Sequence, residues 1–458
     1  MSTDKQQGAR TLRRLREARG MSWGDLAAEL RSLATRLRFA RIAAAQPASI
    51  KRTIARWEAG EHPPDERYQV LLAHLYARTP LGAVALGSGS DFQELLAALS
   101  SLGVERDRLD ELAASTAAAV TESGTSLLAF LGTRLRRHLA AALARPETAD
   151  LPLLDELDVA TAAVDAQVGS VPFVRLHLSH AAVVDACRRL LAGEQPPTVR
   201  ARLRRVAGTA YALAARLAFE THDDGAALAL YEQAVSTTCG ADPSHRALIR
   251  TGQTMVVYYA TGDIARARRL ADTAVADACS GPSRLVRARA HALQAEMAAR
   301  STPPLHRHAR AALRLAWCDL DTDTSDDPMG GTFSKGRLEG FEGVCGLFLG
   351  EAEAAEERLG RAARALGGSR GSVQRAIVLA DRALATLRSG GPGAAETAAG
   401  QLHECVELAA ATRGRVPAWR LRQARQELRP WRSEPFVTEL DDHIHTALVG
   451  LPSARRRE

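Results

Sequence analysis

The 458-residue chain contains no stretch of about 18 uncharged apolar residues, which excludes a membrane-spanning helix. Its first twenty residues, MSTDKQQGARTLRRLREARG, hold no apolar core of a secretory signal, so a cytoplasmic protein without membrane contact is expected. Aromatic residues are only 4% of the chain, and alternating β-branched runs are almost absent, which argues against sheets. Six cysteines lie at least 27 residues apart and none forms a CxxC pair. Reduced thiols packed in helices are therefore expected, rather than a disulfide framework or a thiolate metal site. Lysine is nearly missing: three residues stand against 57 arginines. With the abundance of alanine, that bias points to a high-GC bacterial genome.

Catalytic patterns are missing too. No GxSxG, HExxH or paired-carboxylate arrangement occurs. Gly330–Gly336 (GGTFSKG) lacks the Lys-Ser/Thr ending of a phosphate loop. The run from Asp321 to Asp327 resembles half of a calcium loop but has Asp326 at its sixth position and Thr332 at its twelfth; a flexible acidic loop is expected. The paired histidines His177/His180, His306/His308 and His443/His445 lack further ligands on the same turn. The expectation is a non-enzyme with no cofactor and no metal.

What the chain does have is apolar residues at three- and four-residue spacing almost throughout, so an all-α fold is expected. Its charge is also unevenly placed. Residues 1–80 carry 15 Lys and Arg against 8 Asp and Glu, whereas residues 81–458 carry 45 of each. The whole positive excess sits at one end, as contact with a polyanion requires.

That end reads as four helices. Thr11–Arg19 carries Leu12 and Leu15 and stops at Gly20. Ser22, with Asp25 three residues on, caps a second helix whose inner face is Leu26, Ala27, Leu30 and Leu33. A long turn of about 18 residues follows, Arg31 to Ala48, bearing Arg36, Arg38 and Arg41. Ser49 is expected to cap a third helix, Ile50–Ala59, with Ile50, Ile54 and Trp57 inward. Asp65 caps a fourth, with Tyr68, Leu71, Leu72, Leu75 and Tyr76 in a stripe. Gly-rich Arg78–Ser90 reads as a linker.

The third helix carries the functional expectation. Lys51, Arg52 and Arg56 lie opposite its apolar face, flanked by Ser49 and Thr53, and Arg and Lys are the commonest partners of guanine edges and phosphates. Ser22, the amides at its helix start, Arg14 and Arg19 are placed to grip phosphates.

The stretches LRRLREARGMSWGDLAAEL and SIKRTIARWEAGEHPPDERYQVLLAHLYARTPLG resemble Xre/Cro-type helix-turn-helix regulators. More narrowly, they resemble an actinobacterial subset in which this head precedes a tetratricopeptide-like (TPR-like) array. The pattern is carried by Leu12 to Ser22, Ile54 to Gly60 and Pro64 to Tyr76. The resemblance implies that Lys51, Arg52 and Arg56 read bases and that Ser22 and Trp23 lie where phosphate contacts are usual. Two departures stand out: the turn before the third helix is long, and Trp23 replaces the usual Gln.

From about residue 150 a repeat appears, each unit a small turn followed by an Ala/Leu-rich helix. His222, Gly262, Thr302, Gly350 and Gly391 mark turns 40, 40, 48 and 41 residues apart, the period of stacked helix pairs. The expected organisation is a DNA-binding head over 1–80, a linker and connecting helices over 81–150, a helix-pair solenoid over 151–450 and a disordered basic tail over 451–458. His177, Tyr211, Tyr258, Tyr259 and Trp317 are polar aromatics expected to line a groove for a peptide, small-molecule or protein ligand. Together these features describe a homodimeric regulator of transcription that binds double-stranded DNA. The alternatives are a scaffold or sequestering protein that does not bind DNA, and a peptide-responsive regulator of an enzyme in which only the array acts.

Overall fold

The structure is a computed structural model that describes residues 3–121, 131–171, 173–240, 242–412 and 414–449. Among the described residues it is all-helical, with 22 α-helices and no strands. The tail 451–458 lies outside the described residues. Two compact units form: Met1–Ala149 with Leu178–Glu194, and Asp150–His177 with Gln195–Glu458.

The first unit begins with α1 (Thr3–Ala18), α2 (Trp23–Arg36), a single turn α3 (Ala40–Ala43), α4 (Pro47–Glu58) and α5 (Glu66–Tyr76). Between α1 and α2, Gly20 takes φ +65, and Ser22 closes a complete capping box with Asp25. Asp65 caps α5 through the amides of Arg67 and Tyr68. Leu12, Leu15, Leu26, Leu30, Ile50, Ile54, Trp57 and Leu71 form the core, as their helical spacing implies.

The expected turn Arg31–Ala48 is largely helical. α2 continues to Arg36 because Leu33 and Ala34 still face the core, and the extra turn α3 buries Ile42. Arg31 ties the segment down by donating from Nε to the Ala43 carbonyl, 3.3 Å away. Ser49 is not the cap of α4. The helix starts two residues earlier, with Pro47 in its first turn and Gln46 at the cap position, where no side-chain bond forms. Proline is suited to that place because its missing N–H has no partner there anyway.

Gly-rich Arg78–Ser90 does not separate units. Helices α6 (Asp91–Ser101), α7 (Arg106–Thr121) and α8 (Thr133–Ala144) belong to the first unit, and α6 packs along α1. The contact is close because Gly8 has no Cβ, which would lie 2.7 Å from the Ala98 carbonyl oxygen.

The second unit opens on α9 (Leu151–Ala166), and α10 (Phe173–Ala192) starts in it. Five pairs follow: α11 (Pro197–Glu220) with α12 (Asp224–Thr237), α13 (Pro243–Thr261) with α14 (Ile264–Cys279), α15 (Arg284–Ala299) with α16 (His306–Asp321), α17 (Lys335–Leu349) with α18 (Ala352–Ala365), and α19 (Gly368–Ser389) with α20 (Ala394–Thr412). Helices α21 (Arg415–Glu427) and α22 (Pro435–Ile444) end the array. From α11 to α21 each helix packs on the next, α22 packs on α20, and α11, α13, α15, α17, α19 and α21 also pack on one another in order. These six are the inner row.

Small residues set this spacing. Ala267, Ala271, Ala274 and Ala278 bury one face of α14, and Ala309, Ala312 and Ala316 one face of α16. All five expected turn marks fall between helices; His222, Gly262, Gly350 and Gly391 have positive φ, and Thr302 does not. The acidic loop after α16 is anchored. Asp327 accepts from the Ser283 hydroxyl at 2.7 Å and the Leu285 amide at 3.1 Å, holding the start of α15. All six cysteines are free thiols.

Each unit buries a neutral imidazole. Burial depresses His74 in α5 and His245 in α13 from 6.5 to about 4, with Arg78 and Arg205 respectively pushing the same way. The unfolded chain therefore binds protons that the folded chain refuses, and stability falls as pH drops below 6.5. The loss reaches about 2 kcal/mol per imidazole at pH 5. The imidazole resonances of His74 and His245 should stay fixed from pH 8 to 5.5 while the melting midpoint falls; movement of both with an ordinary midpoint near 6.5 would contradict their burial.

Candidate nucleic-acid interface and ligand cavity

On α4 the inward and outward faces separate as the sequence implies. Ile50, Ile54 and Trp57 are buried; Ser49, Lys51, Arg52 and Arg56 are exposed. Thr53 is half-buried and its hydroxyl donates to the Ser49 carbonyl at 3.1 Å, so it serves its own helix. Lys51 lies over the start of α2: its Nζ is 3.2 Å from where a Cβ on Gly24 would be, a close approach. The structure thus brings Ser22, Trp23 and Lys51 together on one surface. The exposed arginines Arg36, which ends α2, Arg38 and Arg41 run from there into α3, with Arg38 paired to Asp185 at 3.3 Å.

Several expected phosphate contacts are already engaged. Arg19 is almost fully buried: it pairs with Asp91 at 2.6 Å, donates to the Leu75 and Arg78 carbonyls and lies over the Tyr76 ring. A guanidinium committed in four directions is a strut between α1, α5 and α6, and it leaves the interface. Arg14 is exposed but pairs with Glu94 of α6 at 2.8 Å. The amides of Gly24 and Asp25 both donate to the Ser22 hydroxyl, which leaves less free N–H at the start of α2 than expected. Trp23 is 44% exposed, yet its indole N–H donates to Glu58 at 2.9 Å, so its ring face is what it offers a partner.

Glu58 is the residue that sequence reasoning missed. It takes a two-pronged pair from Arg16, at 2.7 and 2.8 Å, as well as the Trp23 bond. One carboxylate therefore holds α1, α2 and α4 in register. The signal was in the Ile-x-x-Trp-Glu pattern, where an acidic residue directly follows a buried Trp.

In the second unit the inner row surrounds a cavity of about 280 Å³. Arg216, Phe219 and Glu220 come from α11, Met255 and Tyr259 from α13, Arg289 and Glu296 from α15, Arg337 and Phe341 from α17, Ile377 and Asp381 from α19, and Arg420 from α21. The array closes on itself there. Glu220 accepts the Arg415 amide at 2.7 Å, Arg415 also pairs with Asp224, and Val373 packs with Val164, Phe173, Leu213 and Leu217.

One wall is a buried ion network. Arg420 donates to Asp381 at 2.8 Å and to the Tyr259 hydroxyl at 2.6 and 3.1 Å, and lies 3.5 Å from Glu296. Glu296 also accepts from Arg300 at 2.7 Å, and Arg300 stacks over Phe348. Burial raises the Asp381 carboxyl, with Arg420 and Arg300 opposing, and raises Glu220. It also pushes the Tyr231 and Tyr259 hydroxyls up to about 12, so both stay neutral donors.

Of the expected groove residues, only Tyr259 lines this cavity. Tyr211 is fully buried, on a helix face turned away from it. Trp317 sits on α16, in the outer row, against the core around Phe341, with its N–H 3.3 Å from Glu342. Tyr258 turns to Arg300, and His177 of α10 does not reach the lining. Aromatics do line the cavity, but apart from Tyr259 they are others, Phe219, Tyr231, Phe333 and Phe341. The cavity is marked also by charged residues, Arg289, Glu296, Asp381 and Arg420, on inner helices.

No protein-family model, curated protein or solved structure matches this chain.

Proposed function

We propose that the chain is a cytoplasmic DNA-binding regulator of transcription. Its first unit is a helix-turn-helix head that reads the major groove with α4, and its second is a TPR-like array that senses a ligand. The observation that carries this reading is the exposed row Ser49, Lys51, Arg52 and Arg56 on a helix whose other face is locked in the core. Helices that read DNA place such an edge in the major groove. Arg36 and Arg41 extend the positive surface beside it, and the positive excess of the whole chain falls within residues 1–80. A single head buries little surface, so we propose a homodimer on half-sites about one helical turn apart.

The test is a gel shift on the protein's own upstream region over a range of salt. Wild type should bind with steep salt dependence. Arg52→Ala and Lys51→Ala should narrow the gap between specific and random duplex by about tenfold, whereas Arg36→Ala should weaken both alike. Equal, weak binding by wild type and Arg52→Ala at every salt concentration would sink the reading in favour of a scaffold that does not touch DNA.

A further inference from the structure

The cavity of the second unit says what kind of ligand it is built for. Its size, about 280 Å³, is at the small end of ligand sites and suits a metabolite rather than a peptide running along a groove. Its charge fixes the sign. The lining holds four arginines, Arg216, Arg289, Arg337 and Arg420, against Glu220, Glu296 and Asp381. Arg300, buried behind Glu296, adds a fifth guanidinium. The three carboxylates already have work: Asp381 and Glu296 hold Arg420 and Arg300, and Glu220 takes the Arg415 amide. Arg216 makes no contact ion pair among the described residues; the carboxylate it acts on is Glu220, one helical turn further along α11. It, Arg289 and Glu220 all act electrostatically on the Tyr231 hydroxyl, so two guanidiniums and one carboxylate share one corner of the cavity, with positive charge in excess. Tyr231 reaches that corner because Gly252 leaves room: a Cβ there would stand 2.6 Å from the hydroxyl.

An independent observation shows the interior waiting for a partner. Asp381 is completely buried and lines the cavity, yet its Oδ2 has no hydrogen-bond donor. A buried acceptor left so is destabilising unless something supplies a proton. Phe219, Met255, Phe341, Val344 and Ile377 give the lining an apolar surface.

We infer that the cavity binds a small organic acid, its anionic group held by Arg216 and Arg289 beside Tyr231 and its apolar body lying against Phe219, Met255, Phe341 and Ile377. A hydroxyl or amino group on that body would satisfy Asp381. Guanidinium groups bind such anions through paired, charge-assisted hydrogen bonds, stronger than neutral ones. The inference rests on the sensing half of the proposed function and makes its ligand specific.

The experiment is calorimetric titration of the full-length protein with octanoate, 1-octanol and octylamine, which share a chain and differ in the head group. Octanoate should bind at least about tenfold more tightly than octanol, and octylamine more weakly still. Arg216→Gln and Arg289→Gln should each weaken octanoate by about tenfold and leave octanol unchanged, with melting curves reporting that the variants fold. Equal affinity for octanoate and octanol, no octanoate binding, or full octanoate affinity in both variants would overturn the inference. The three-probe comparison on wild type stands even where a variant fails to fold. Gel shifts run alongside separate the two readings. Retained DNA binding without octanoate binding overturns only the cavity; octanoate binding without DNA binding overturns only the regulator.

Discussion

Arg420→Ala should destabilise the second unit by about 3–5 kcal/mol, the usual effect of stripping one partner from a buried charge pair. Arg420 and Asp381 are both essentially inaccessible to water. Removing the guanidinium leaves both Asp381 oxygens without a donor and takes two bonds from Tyr259. Burial already raises the Asp381 carboxyl while Arg420 opposes the rise. Without Arg420 it rises further, and the group enters the fold protonated. The sign follows: the unfolded carboxyl must take up a proton to fold, so the penalty grows as pH rises above the ordinary carboxyl range and shrinks toward pH 4. Urea unfolding at pH 5 and pH 8 should show a larger loss at pH 8. Arg420→Met with Asp381→Leu should recover most of the stability, since apolar replacement of a buried pair is often neutral or better. A loss below about 1 kcal/mol for Arg420→Ala would mean that the network does not hold the array closed.

The second large effect belongs to the first unit. Glu58→Ala should cost about 3 kcal/mol, because Arg16 is left with a buried guanidinium that keeps only the Met21 carbonyl and a longer, 3.5 Å approach to half-exposed Glu17. For a head of this size that is a large share of its total stability. The readout has a built-in discriminator. Removing an acidic group beside the proposed DNA-binding face should by charge alone tighten binding. The structure calls for the opposite at 37 °C, where part of the variant population has lost the α1–α2–α4 register. At low temperature, with the head folded, affinity should return to wild type or exceed it. Weak binding at every temperature with an unchanged melting curve would instead make Glu58 a contact residue.

These effects show where the sequence was informative. The helices of both units were readable because their apolar residues keep the 3.6 period and because Ser22, Asp65, Gly20, Gly262 and Gly350 punctuate them by known capping and turn chemistry. The α3 turn was not, since four residues with one buried Ile42 are too short to show a period. The start of α4 was misplaced because Ser49 is a better cap by type than Gln46, and Pro47 outweighed it. Arg19 read as a surface cation because charge says nothing about burial; only folding shows that Asp91, 72 residues on, meets it. The cavity was hidden for the same reason, as its arginines and acids come from five helices spread over about two hundred residues.

The central claim is that α4 reads DNA. The most direct measurement is repeated selection from a random pool of duplex DNA by the full-length protein, beside Arg52→Ala. The account predicts that wild type enriches one motif, two half-sites about 10 base pairs apart centre to centre, and that Arg52→Ala loses preference at one or two base pairs in each half-site. A wild-type pool that remains random after selection, with retention no greater than that of Arg52→Ala, would contradict it.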